Sequence, residues 1–195
     1  MNNTRQSNHS KIKFITIWLT ILSLIITSPA GLVFAKEKNN EDEFKAVWIS
    51  YLEFNSRLKD PKTGKNGFTK ERFQDVIDEM FDNVVDLNMN AVVVHVRPFG
   101  DAMYPSEYFP WSKYISGTQG KDPGFDPLEY MVEAAHDRNL EFHAWINPYR
   151  VTSGTTDINT LSKDNQARKW RTNKSKKDDR YVLSFGGSLY YNPSV

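Results

Sequence analysis

The chain has 195 residues, 25 Lys plus Arg against 24 Asp plus Glu, and no cysteine. Its length suits one domain of ordinary size, and the missing cysteines exclude a disulfide framework, a thiolate metal site and a lipoprotein anchor. A nucleic-acid-binding protein needs a clustered basic face, which a nearly neutral balance does not supply.

The first 35 residues read as an export signal. Arg5, Lys11 and Lys13 form a positive start, an apolar run extends from Phe14 to Ile26, and Ser28-Pro29 breaks it. Val33-Phe34-Ala35 then suits a signal peptidase and places cleavage after Ala35. A permanent membrane span needs about 20 apolar residues, whereas this run is shorter and is interrupted by Thr16, Thr20 and Ser23. The expectation is therefore a secreted protein, extracellular or cell-wall associated, without a stable span once the signal is removed. Cleavage takes away three basic residues and no acidic ones, leaving 25 − 3 = 22 against 24 and a net charge of −2. Lys36 to Glu43 is wholly polar and charged, the composition of a flexible leader, and the domain is expected over residues 44–195.

From there the sequence alternates apolar strands with amphipathic helices. Phe44 to Ser50 reads as a strand, and a helix follows with Thr69 as its N-cap. Its apolar residues Phe73, Val76, Ile77, Met80, Phe81, Val84, Val85 and Leu87 recur at three and four and make one buried stripe. Ala91 to Arg97 is apolar on both faces, as in a strand covered on each side. Asp126-Pro127-Leu128-Glu129 combines an N-cap, a first-turn Pro and a third-position Glu. That helix buries Leu128, Met131, Val132 and Ala135 and stops at Asn139, and Leu140 to Asn147 is the third strand.

Strand, helix, strand with right-handed crossovers implies a parallel sheet and the α/β class. Ser50-Tyr51-Leu52-Glu53 follows the first strand where a nucleotide-binding sheet would carry a glycine-rich turn. The loops after strands two and three are long, polar and aromatic, as in a TIM-type (β/α)8 barrel whose active face is built from such loops. A closed barrel takes eight strands and about 250 residues. Only three strands are legible here and Asn192-Pro193-Ser194 reads as a helix start, so the expectation is the N-terminal portion of an incomplete barrel.

Strand two runs into His95-Val96-Arg97-Pro98-Phe99-Gly100-Asp101 and strand three into His143-Ala144-Trp145-Ile146-Asn147-Pro148-Tyr149-Arg150. Asp101, after a glycine that permits a tight turn, is the best catalytic carboxylate. Against that stands an Asp that caps its own turn or pairs with Arg97. For substrate binding the candidates are Arg97, with a planar fork for hydroxyl or carboxylate groups, His143 pointing into the barrel, and Asn147, Tyr149 and Arg150 at the end of strand three. Tyr104, Trp111 and Trp145 are candidate sugar platforms. Trp145 reads first as a core residue and Trp111 as a surface one, and Asn147-Pro148 can be a turn signal alone. Glu53 and Glu107 are reserve carboxylates, each reading first as a solvated loop residue. His95 and His143 are not at metal-ligand spacing, so no metal and no cofactor is expected. Thr152 to Asp179, with Lys169, Arg171, Lys174, Lys176 and Lys177, reads as a solvated excursion of the third loop that could touch an anionic wall polymer.

At these residues the chain resembles the bacterial glycosyl-hydrolase-like family ten. The resemblance rests on Ala46-Val47-Trp48, Val96-Arg97-Pro98, Gly100-Asp101-Ala102, Tyr104-Pro105-Ser106, Pro110-Trp111-Ser112, Asp122-Pro123-Gly124-Phe125-Asp126-Pro127-Leu128, His143-Ala144-Trp145 and Asn147-Pro148-Tyr149-Arg150, in family order. It implies a TIM-type barrel, hydrolysis of a glycan such as peptide-free peptidoglycan strands, and a fourth strand ending in an acidic Asp-Asp-Tyr-type motif beyond Val195. A carbohydrate-binding protein without catalysis and an inactive fragment are the alternatives.

Overall fold

A computed structural model describes residues 43–195; the expected signal and almost all of the leader lie outside them. Three strands, β1 (Ala46–Ile49), β2 (Ala91–Arg97) and β3 (Glu141–Ile146), form one sheet in the order β1-β2-β3 with both pairings parallel. The class is mixed α/β. Register sets Val47 beside Val92 and Phe142, and Ile49 beside Val94 and Ala144. Partners in a sheet share a face, so these residues mark one side and Trp48, Val93 and His143 mark the other.

The first side is covered by helices. After β1 comes α1 (Tyr51–Arg57), then α2 (Lys70–Asp86), and after β2 the short α3 (Lys113–Ser116) and α4 (Pro127–His136). Phe73, Ile77, Phe81 and Val84 of α2 and Met131, Ala134 and Ala135 of α4 form one core with Val92, Val94 and Val96. Removing a ring such as Phe81, which is fully buried, leaves a cavity and costs about 3–5 kcal/mol. The caps are those the sequence announces: the Thr69 side chain accepts from Arg72 N–H, and Asp126 accepts from Leu128 and Glu129 N–H. Outside the core, Arg138 joins α4 to α2 through Asp78 at 3.0 Å and Asp82 at 2.7 Å.

Two segments correct the sequence reading. Ser50 to Arg57 is no loop: Ser50 and Glu53 make a reciprocal capping box that opens α1. Glu53 accepts from Ser50 N–H at 2.8 Å, so this reserve carboxylate serves a helix start. The supposed solvated excursion is an ordered insertion. It contains α5 (Gln166–Thr172) and runs on past Asp179 into the antiparallel hairpin β4 (Val182–Phe185) with β5 (Ser188–Tyr191). Its own small core joins Val151, Leu161, Ala167, Val182 and Leu189. At Asn192 the side chain accepts from Ser194 N–H at 2.9 Å, the bond an N-cap residue makes.

Candidate functional site at the carboxyl edge of the sheet

The loops after β2 and β3 meet at one edge of the sheet. The Asn147 amide donates to the Pro98 carbonyl at 3.2 Å, and Gly100 N–H reaches the Val151 carbonyl at 3.5 Å. Residues far apart in sequence therefore converge, with the insertion packed above them.

Between the loop after β2 and the insertion lies a cleft of about 780 Å³. One wall carries Glu107, Tyr108, Phe109 and Trp111; the other carries Asp164, Lys169, Trp170 and Tyr191, with Tyr149 at the junction. Aromatic faces interleaved with carboxylates, an amine and a phenol suit a flat polyhydroxylated ring: the faces cover its C–H surface and the polar groups meet its hydroxyls. Trp111, Tyr149 and the reserve carboxylate Glu107 are the sequence candidates placed here. Tyr108, Asp164, Trp170 and Tyr191 were not singled out: Asp164 and Trp170 lie in the stretch whose polar composition hid its structure, and Tyr191 lies in the hairpin beyond it.

Arg97 borders the cleft. Its guanidinium lies 4.2 Å from the centre of the Phe109 ring and donates to the Pro148 carbonyl at 3.0 Å. No ion pair joins it to Asp101. Arg150 donates to Ser153 Oγ at 3.1 Å and sits over Phe99.

Asp101 lies to one side, 1% exposed, on a separate cavity of about 180 Å³ lined also by Lys113, Gln119 and the hydroxyl residues Thr152, Ser153, Thr155 and Thr160. Its Oδ2 accepts from Gln119 Nε2 at 2.9 Å. Oδ1 is buried without a hydrogen-bond partner. Burial pushes its carboxyl up to about 6, opposed by the Gln119 and Ser112 contacts and by Lys113.

The remaining candidates scatter for physical reasons. Tyr104 packs against the main core rather than the cleft. Asn147 is consumed locally, its Oδ1 accepting from Trp145 Nε1 at 3.1 Å. Trp145 lies on the helix-free face and stacks on His95 with ring centres 3.7 Å apart. His143 lies on that same face, exposed, 3.0 Å from Glu141 Oε2 and edge-on to Phe44. It is remote from the cleft because it sits mid-strand rather than at the strand's end.

Buried side-chain polar atoms without a partner gather around this edge. Among the described residues they are both ring nitrogens of His95, Nε of Arg97 and of Arg150, Asp101 Oδ1, Ser162 Oγ and the Tyr191 hydroxyl. An unpaired buried polar group costs about 1–3 kcal/mol, so their concentration here marks where the fold gives up stability. The Tyr191 hydroxyl is pushed up to about 12 by burial, with Arg97 lowering it and Asp101 raising it.

A family model described as Glycosyl hydrolase-like 10 matches residues 43–195. The chain belongs to this family. It is 44% identical over 177 residues to Glycosyl hydrolase YngK of Bacillus subtilis (strain 168), a match covering 90% of this chain and 32% of that protein. It is 34% identical over 181 residues to Glycosyl hydrolase DigH of Escherichia coli (strain K12), covering 83% of this chain and 39% of that protein. The chain thus spans well under half the length of these relatives. No group of three metal-ligating side chains gathers among the described residues, and no described helix is long and apolar enough to cross a membrane.

Proposed function

We propose that this chain is the N-terminal portion of a TIM-type barrel in a secreted glycoside hydrolase-like protein that acts on cell-wall glycan, with peptide-free peptidoglycan strands as substrate. One observation carries the reading: a member of a glycosyl hydrolase-like family has its aromatic-walled cleft at the carboxyl edge of a parallel sheet, where barrel enzymes place their chemistry. The cleft binds the sugar rings, Arg97 holds the Phe109 wall, and Tyr191 lines the opposite wall.

Glycoside hydrolysis uses two carboxyl groups across the bond, about 5 Å apart for retention and about 6.5–9.5 Å for inversion. Asp101, held protonated into mildly acidic pH, has the character of a general acid, but its burial beside the smaller cavity separates it from the aromatic walls. That separation favours a second reading, in which these residues bind glycan without cleaving it.

Incubation of the chain with peptide-free glycan strands tests both. Co-sedimentation together with new reducing ends supports hydrolysis. Co-sedimentation without them supports the binding reading, and no retention on the strands removes both.

A further inference from the structure

The two walls of the cleft belong to different parts of the chain, and few polar contacts fasten them together. At the base, Asn165 Nδ2 donates to the Gly100 carbonyl at 2.8 Å, while Asn165 Oδ1 accepts from Ala167 N–H at 3.0 Å and so caps α5. Higher up, the carboxamide of Gln119 is used at both ends: Nε2 donates to Asp101 at 2.9 Å and Oε1 accepts from Ser162 N–H at 2.9 Å. The backbones are close here, since a Cβ on Gly120 would lie 3.0 Å from Ser162 Cβ. Both Asp101 and Asn165 are almost wholly buried, so neither partner can exchange the bond for water.

We propose that Gln119 is a positioning residue that locks the insertion against the loop after β2 and thereby sets the width of the cleft between Trp111 and Trp170. A carboxamide offers, at any pH and on two separate atoms, a donor toward the carboxylate and an acceptor toward the N–H. In this arrangement Asp101 orients Gln119, Gln119 holds Ser162, and four residues later α5 begins with its cleft-lining residues Gln166, Lys169 and Trp170. The consequence for sugar binding rests on the glycan reading above; the locking itself does not.

The chain has no cysteine, so Tyr108→Cys with Thr172→Cys supplies the only two spin-labelling sites, one on each side of the cleft. Pulsed electron paramagnetic resonance should give one narrow distance in the labelled parent and a broadened, longer one after Gln119→Met. Gln119→Glu keeps the shape but sets two carboxyl groups against each other; Lys113, Tyr114 and Tyr191 are the other titratable groups around Asp101. It should broaden the distance at pH 8 and narrow it at pH 5, where a proton restores a donor, which a packing role alone would not do. Asp101→Asn, which keeps an acceptor, should stay narrow. In unlabelled protein, affinity for the N-acetylglucosamine hexamer should fall about tenfold in Gln119→Met. A distance as narrow in both Gln119 variants as in the parent overturns the proposal. Broadening in a protein whose parent binds no sugar leaves the lock standing and removes the glycan reading instead.

Discussion

Asp101 and His95 occupy the same edge and titrate in opposite senses. Burial raises the Asp101 carboxyl from 3.8 to about 6. Its full contribution is present below about pH 4, and about 3 kcal/mol is lost as pH rises through 6. Burial, aided by the Arg150 charge, lowers His95 from 6.5 to about 4. Its contribution is present above 6.5, and about 3 kcal/mol is lost as pH falls through 4. Between pH 4 and 6.5 the two nearly cancel. Thermal melts should therefore show Asp101→Asn losing stability on acidification across this window and His95→Phe losing it on alkalinisation, each relative to a flatter parent. Parallel curves for the three proteins would refute the account of both sites. At Gly100 an added Cβ would lie 2.9 Å from the Tyr191 hydroxyl and 3.2 Å from Asn165 Nδ2. Gly100→Ala should cost about 1–3 kcal/mol and displace Tyr191 from the cleft, read by denaturant titration and by a change in sugar affinity. An unchanged midpoint would mean that these neighbours yield freely.

Among the elements, the insertion matters most to the site because α5 supplies one wall. Its start depends on Asn165, whose side chain both caps the helix and ties it to Gly100. Asn165→Ser keeps a capping oxygen and loses the amide donor without burying a charge, whereas Asn165→Ala loses both. The alanine variant should therefore be less stable than the serine variant by about 1 kcal/mol, the usual worth of a cap, and equal midpoints in urea would contradict the assignment. What the sequence disclosed follows from the strength of the local signals. The helices after Thr69 and Asp126 carry caps and a long apolar stripe, and the three strands carry apolar runs, so all five were legible. The helix Tyr51–Arg57 was not, because seven residues give no periodicity and its capping box resembles a polar loop. The hairpin was missed although Gly186-Gly187 stands between Leu183 and Leu189, with φ of 53° and 72°; this pair of positive angles is what a two-residue hairpin turn demands. The site was half legible: strand ends pointed to Arg97, Asp101, Tyr149 and Arg150, but the opposing wall came from a segment whose lysines concealed a five-residue core.

For the molecule as a whole, the helix-free face of the sheet and the edge cleft are two separate aromatic surfaces. Trp48, 63% exposed, meets Trp145 edge-on at 5.1 Å on the first, while Trp111 and Trp170 line the second. A sugar drawn merely to exposed tryptophan would find the first face at least as readily, so the two surfaces separate a built site from an adventitious one. The most direct test is a titration of the ¹⁵N-labelled chain with the N-acetylglucosamine hexamer, following the indole N–H signals. The account predicts that those of Trp111 and Trp170 move together and saturably while those of Trp48 and Trp145 stay in place. Movement confined to Trp48 and Trp145, or no movement at any of the four, would contradict it.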